Sequence, residues 1–335
     1  MEWWLPVLLG GAVAFGIVMY VAMDGFDLGL GILFPFAPGE TERAMMLNSI
    51  APFWDGNETW LVLGGTLLIG AFPLAYATLL PAFYVPLLTM LFALIFRGIA
   101  FEFRFRATRF RALWDWAFSG GSMLATFCQG LVLGGFIHGI PVVDRAFAGG
   151  PLDCISAFAG ACGCGLVAGY GLLGATWLIF KTDGSTAEYG RAAARIALPA
   201  TMVFIALVSL WTPFAYLRIA ARWFAWPNIA LLSPVPLVTA LVALGLWRSI
   251  GSDRDFRPFL LAISLFLLAF LGLGISIWPY AVPYQATLWQ AASSPPTLAF
   301  VGIGVVVILP VVLFYVAFAH WIFRGKTATD TGYGH

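Results

Sequence analysis

Apolar stretches long enough to carry a helix through a bilayer, which takes about 20 residues, recur nine times along this chain. They are centred in residues 5–35, 55–72, 76–100, 115–137, 156–180, 197–217, 229–248, 258–279 and 299–323. A chain so built needs lipid as its solvent. Of its 335 residues, 61% are hydrophobic and only 10% charged, with a mean hydropathy of +0.93, where a water-soluble domain carries about a quarter charged residues. The expected fold is an all-α membrane protein of about nine transmembrane helices, forming a single integral membrane domain over residues 1–335.

The first stretch is long. A helix from Leu5 to Phe36 measures roughly 48 Å at 1.5 Å per residue, so it overshoots, tilts or breaks, with Gly25, Gly29 and Gly31 as the places for a break. Met1-Glu2-Trp3-Trp4 ahead of it lacks the basic leader and small-residue cleavage site of a secretory signal, which predicts that the segment is retained as a membrane helix.

Orientation follows from the basic residues, because short cytoplasmic loops retain Lys and Arg. With the N-terminus outside, the inner loops hold Arg43; Arg97, Arg104, Arg106, Arg109 and Arg111; Lys181, Arg191 and Arg195; Arg248, Arg254 and Arg257; and Arg324 with Lys326. The outer side keeps Arg145, Arg218 and Arg222. This split of the 17 basic residues, 14 against 3, predicts an odd number of spans with a periplasmic N-terminus and a cytoplasmic C-terminus. The net charge of +1 and the lack of a basic run exclude an electrostatic grip on nucleic acid. Trp3, Trp4, Trp114, Trp116, Trp223, Trp226 and Trp321 fall near helix ends, as an aromatic belt does. Gly130/Gly134 and Gly165/Gly169 predict close helix packing, and Cys128, Cys154, Cys162 and Cys164 read as small buried hydrophobes without a disulfide.

With charges this scarce, those inside apolar runs are the informative ones, since an ionisable group at mid-membrane costs at least ~2.5 kcal/mol and marks a pathway or a partner. Asp24-Gly25-Phe26-Asp27 sets two carboxyls three residues apart on one face of the first helix, close enough to share protons as a relay requires. The plainer reading is that they cap a helix break. Pro52-Phe53-Trp54-Asp55-Gly56-Asn57-Glu58-Thr59-Trp60 opens the second span. Here Asp55 is placed to N-cap the helix and Glu58 to complete a variant capping box, although capping requires neither the two tryptophans nor an acid beside an apolar run. The string lacks the further ligands of a calcium loop. At the inner end of the third span, Arg97 lies deeper than the arginines that follow and is available to pair with Glu102 or with an acid of the two clusters. His138 and His320 near helix ends, with His335 at the terminus, do not suit the paired axial ligands of a transmembrane haem. Cys162-Gly163-Cys164 lacks zinc spacing.

Three strings carry a resemblance: Asp24-Gly25-Phe26-Asp27-Leu28-Gly29; Asn48-Ser49-Ile50-Ala51-Pro52-Phe53-Trp54-Asp55-Gly56-Asn57-Glu58-Thr59-Trp60-Leu61; and Phe96-Arg97 with Phe101-Glu102-Phe103-Arg104. Dense over residues 15–120, they resemble subunit II of cytochrome bd ubiquinol oxidase, in its cyanide-insensitive branch. The resemblance implies nine transmembrane helices in two helical bundles plus a peripheral helix, in a bacterial inner membrane. It also implies a heterodimer with a related subunit I that holds the b-type and d-type haems and the quinol site, with room for a small accessory subunit and lipid, and no cofactor in this chain. The complex would oxidise ubiquinol and reduce O2 to water, drawing protons from the cytoplasm through Asp55, Asp27 and Asp24. Glu58, where other members carry a neutral residue such as Gln, joins that group. Trp60 would lie near an oxygen path, and Arg97 and Glu102 would be structural or electrostatic. A stand-alone proton-coupled transporter is the competing reading, because intramembrane acids and a broken helix suit it as well; the few polar residues in the last four spans argue against it.

Overall fold

The computed structural model describes residues 3–107 and 109–327; Met1, Glu2 and His335 lie outside them. The helices, in chain order, are α1 (Leu5–Leu33), α2 (Glu40–Ile50), α3 (Trp54–Ala71), α4 (Pro73–Ala82), α5 (Tyr84–Arg106), α6 (Arg111–His138) and α7 (Ala157–Lys181). They continue with α8 (Gly184–Ala215), α9 (Leu217–Phe224), α10 (Asn228–Leu232), α11 (Pro234–Ser249), α12 (Phe256–Ile277), α13 (Leu288–Ala291) and α14 (Pro295–Ile322). Two short antiparallel hairpins, Val142–Val143 with Ala146–Phe147 and Tyr280–Val282 with Ala286–Thr287, fold over one end of the bundle. Local chemistry sets the ends of several helices. Prolines open α4, α11 and α14, and the Ser156 hydroxyl accepts from the Ala159 N–H at the start of α7. Gly139, at φ +86°, closes α6 by returning its N–H to the Gly135 and Phe136 carbonyls.

Among the described residues, eight helical segments are long and apolar enough to cross a membrane. The sequence reading counted nine, and the difference is α3, whose first turn holds Asp55, Asn57 and Glu58 and so falls below the hydropathy of a lipid-facing helix. The third stretch also divides: α4 ends at Ala82, one residue after Pro81, and α5 starts afresh at Tyr84.

Of the alternatives of overshoot, tilt or break, a break in α1 does not occur. The helix runs unbroken through Gly25, Gly29 and Gly31, and every residue from Asp24 to Ile32 is buried. This half of α1 is enclosed on all sides, chiefly by α3, α6, α7 and α12. The glycines serve approach. A Cβ at Gly29 would lie 1.9 Å from the Tyr170 carbonyl oxygen, and one at Gly174 2.5 Å from the Gly29 carbonyl carbon, so α1 and α7 touch backbone to backbone. Gly130 and Gly134 do the same for α6 against Gly163 and Ala159 of α7. Gly165 and Gly169 instead form notches for Phe204 of α8 and Phe266 of α12.

Below the acids, Phe26 stacks on Trp177 with ring centroids 4.0 Å apart, and Trp177 gives its indole N–H to the Ser49 hydroxyl at 3.2 Å. At the end of the bundle where Lys181 and Lys326 gather, the two lysines cap each other's segments. Lys181 Nζ donates to the carbonyls of Phe323 and of Gly325, the latter at 2.8 Å, beyond the end of α14. Lys326 Nζ donates to the carbonyls of Ile179 (3.0 Å) and Thr182 (2.9 Å) at the end of α7 and pairs with Asp255. This clasp seats the orphan carbonyls that a helix C-terminus leaves behind and holds α14 against the bundle. All four cysteines are free.

Candidate functional site: a buried acid cluster around Arg97

Four of the sequence-selected residues meet at one point inside the bundle. Arg97 enters from α5, where Gly121 lets α6 close down on its backbone: a Cβ there would lie 2.6 Å from the Ala93 oxygen and 3.2 Å from Arg97 N. Its Nη1 stands 3.3 Å from Asp24 Oδ1 and 2.5 Å from Glu58 Oε1, which ties α5 to α1 and α3. Asp27, one turn beyond Asp24, accepts from Asn57 Nδ2 at 2.8 Å, and the same amide reaches the Met23 carbonyl at 3.3 Å. Asp24, Asp27 and Arg97 are buried to 0%, 0% and 1% exposure, whereas the Glu58 side chain keeps 29% and Asp55, one turn earlier on α3, is exposed. The acids therefore form a series running from the surface inward, Asp55, Glu58, then Asp24 and Asp27.

Charge within this cluster does not balance. Three carboxyls, Asp24, Asp27 and Glu58, surround a single guanidinium, and both oxygens of Asp24 and Oδ1 of Asp27 have no hydrogen bond. Unpaired buried charge costs several kcal/mol per ion, so an arrangement of this kind is stable only while it holds protons. That is the chemistry the geometry provides: bind, share and release protons in a water-poor interior.

Two expectations are corrected. Asp55 does not N-cap α3, because Phe53 holds that position without a side-chain bond and Asp55 falls inside the first turn; Glu58 turns to Arg97 instead of completing a box. Glu102 does not pair with Arg97. It faces outward on α5, since five residues of helix carry it to another face. The arginine run is also more than a topology signal: Arg104 is 1% exposed, pairs with Asp115 and with Glu40 at 2.8 Å, and lies 5.0 Å above the Phe34 ring. It ties α5 to α6 and α2 through a second, separate network.

Sequence reasoning missed four contributors. Asn57, Tyr20, Gln129 and Tyr170 carry no charge, so a search for costly ions in apolar runs does not reach them. The Tyr170 hydroxyl donates to Gln129 Oε1 at 2.8 Å and Gln129 Nε2 donates to the Tyr20 hydroxyl at 3.0 Å. The available signals were a tyrosine one turn before Asp24 and a lone glutamine in an apolar helix.

Trp60 is 1% exposed and its indole N–H has no partner. It meets Phe15 edge-on at 5.9 Å and lines an apolar cavity of about 310 Å³ with Thr59, Val62, Leu63, Thr66 and Val312, between α3 and α14. His138 and His320 are engaged elsewhere, at opposite ends of the bundle. His138 Nδ1 lies 3.2 Å from the Tyr216 hydroxyl. His320 stacks on Phe53 at 4.5 Å. They do not fit a pair of axial ligands to one haem, and no cluster of three metal-ligating side chains occurs among the described residues.

Comparison with known proteins places the chain in a family. Cytochrome bd-I ubiquinol oxidase subunit 2 of Escherichia coli K12 is 29% identical over 371 residues, covering 98% of this chain and 95% of the relative. The probable cytochrome oxidase subunit 2 of Haemophilus influenzae is 25% identical over 95% of this chain and 92% of its own length. A subunit 2 from Bacillus subtilis is 38% identical over 133 residues, 39% of each chain. In fold, the chain is similar to one in the structure of bd oxidase from Geobacillus thermodenitrificans, with a TM-score of 0.74, 17% identity, and coverage of 96% of this chain and 99% of that one. The model of the family described as cytochrome bd terminal oxidase subunit II matches residues 5–323, and the chain, a multi-pass protein of the bacterial inner membrane, belongs to that family.

Proposed function

We propose that this chain is the haem-free subunit of a complex that oxidises ubiquinol and reduces O2 to water, and that its task beyond scaffolding is proton uptake from the cytoplasm through Asp55, Glu58, Asp24 and Asp27. The observation that carries this reading is the excess of buried carboxyls over cations around Arg97. A purely structural ion pair has no use for the surplus acids. The haems belong to the partner, subunit I, in keeping with the histidine placement; when bound there they supply the redox chemistry, and this chain supplies protons, a lipid-facing wall and the Trp60 cavity as an apolar route for O2. Arg97 holds the acids together, and Glu102 lies apart from them as an outward-facing charge. One integral membrane domain with the acid mouth on the cytoplasmic side, where the basic loops gather, completes the reading, with lipid and a small accessory subunit as further neighbours.

The test uses the complex purified with its haem-bearing partner. Asp55→Asn and Asp27→Asn are each expected to slow O2 consumption while leaving the haem spectrum unchanged. Unchanged turnover in both would reduce the chain to an anchor, and loss of the haem signal would reassign the acids to assembly.

A further inference from the structure

The two innermost acids of the cluster, though three residues apart and both fully buried, have different surroundings. Asp24 faces a cation and a donor. Arg97 Nη1 is 3.3 Å away, and Tyr20 lies one turn back on the same face of α1, its hydroxyl available to the carboxyl although neither Asp24 oxygen holds a hydrogen bond. Tyr20 is itself the last member of a chain that begins on α7: the Tyr170 hydroxyl donates to Gln129 Oε1, and Gln129 Nε2 donates to the Tyr20 oxygen. The sense of the amide follows from satisfaction of buried groups. Reversing it would leave the Tyr170 hydrogen without this acceptor and turn a Tyr20 lone pair toward Asp24. In the sense observed, every link donates toward α1, and the Tyr20 hydrogen is left for Asp24. The chain is seated by α1 itself, since a Cβ at Gly25 would lie 3.1 Å from the Tyr170 ring.

Asp27 has none of this. Its Oδ2 accepts from Asn57 Nδ2, its Oδ1 is bare, and no cation pairs with it among the described residues. The groups that bear on it are Asp24 on α1, Asn57 and Glu58 on α3, and Arg97 on α5. Among these, the only cation is already shared by Asp24 and Glu58.

We propose, on the strength of the proton-uptake role above, that Tyr170, Gln129 and Tyr20 are positioning residues whose one-way donor chain fixes Asp24 as the permanent anionic partner of Arg97, leaving Asp27 as the carboxyl that binds and releases the proton. The proton goes onto Oδ1 while Oδ2 keeps the Asn57 N–H, and it leaves from the same oxygen toward the partner subunit; Asp24 is unchanged throughout. A donor chain that stops inside the bundle cannot itself conduct, so its use lies in the charge state it imposes at its end.

Redox-triggered infrared difference spectra of the whole complex test this, through the carbonyl stretch of a protonated carboxylic acid and its downshift in heavy water. The band is expected to disappear in Asp27→Asn and to persist in Asp24→Asn. Tyr20→Phe and Tyr170→Phe, which do not touch Asp27, are expected to add a second carboxylic band and to move the pH dependence of O2 consumption upward by up to roughly one unit, the lower end of what a hydrogen bond to a charge supplies. If Asp27→Asn fails to assemble, Asp27→Glu keeps a carboxyl and is expected to shift the band in frequency. A band that follows Asp24, or tyrosine variants that match the parent in both spectrum and pH profile, overturns the assignment even where turnover still depends on both acids. Wild-type turnover in both Asp24→Asn and Asp27→Asn removes the proton-uptake reading, and this one with it.

Discussion

Replacing Gly29 with alanine tests the helix contact on which the acid cluster is built. The new methyl would stand 1.9 Å from the Tyr170 carbonyl oxygen and 2.8 Å from both the Tyr170 carbonyl carbon and Gly174 N. All three are backbone atoms, so no rotamer change relieves the clash and α1 and α7 must separate. Overpacking of a tight interior costs typically 1–3 kcal/mol, and a backbone obstacle puts Gly29→Ala at about 3 kcal/mol, or roughly a hundredfold in the folding equilibrium. Gly11 on the same helix has nothing within 4 Å of its Cβ position, so Gly11→Ala is expected to be neutral or to stabilise by up to about 1 kcal/mol through helix propensity. Gly174→Ala meets the same contact from the other side, at 2.5 Å, and the double substitution is expected to cost less than the sum of the two, because the helices need separate only once. Denaturant unfolding of the detergent-solubilised complex, followed by tryptophan fluorescence, measures all four. A Gly29→Ala variant as stable as Gly11→Ala would refute the packing argument, and additive Gly29 and Gly174 effects would show that the two glycines do not share a contact.

Arg97→Gln leaves Asp24 and Glu58 without their cation and is expected to lower stability by about 3–5 kcal/mol, read as loss of assembled complex, while adding Asp24→Asn to it restores part of the yield; no recovery would mean that Asp24 is not its partner. Lys326→Met removes donors from the Ile179 and Thr182 carbonyls and is expected to release the chain after α14, at a cost of about 2 kcal/mol, detected as faster limited proteolysis behind Phe323. Thr66→Trp fills the cavity beside Trp60 and is expected to raise the KM for O2 with little change in kcat; an equal fall in kcat at saturating O2 would argue against an access role.

Much of the architecture is legible from the one-dimensional pattern. The apolar period fixes where helices lie, because each must satisfy its own backbone in lipid, and each of the nine stretches coincides with helix, apart from divisions at Phe83 and Ser233 and a helix α8 that begins at Gly184, well before its stretch. The prominence of Asp24, Asp27, Asp55, Glu58 and Arg97 is legible for the same reason: an ionisable group in an apolar run is expensive, so its presence alone marks it. Pairing is another matter. Arg97 to Glu102 and Arg97 to Glu58 look equally available along the chain, and only the fold, with Gly121 bringing α6 onto α5, directs the guanidinium inward. Tyr20, Gln129 and Tyr170 carry no charge and thus no cost that would advertise them; three helices distant in sequence make them one chain.

The amino-acid order by itself determined that this protein lives in lipid, roughly where its long helices lie and which few charges stand out, because solvation in a bilayer acts on each residue separately. What the tertiary structure alone decided is that α1 stays continuous through its glycines, that one arginine is shared by Asp24 and Glu58, and that Asp27 is left without a cation. Those outcomes depend on contacts between segments a hundred residues apart, and contact energy, unlike solvation, has no value until the partner is in place.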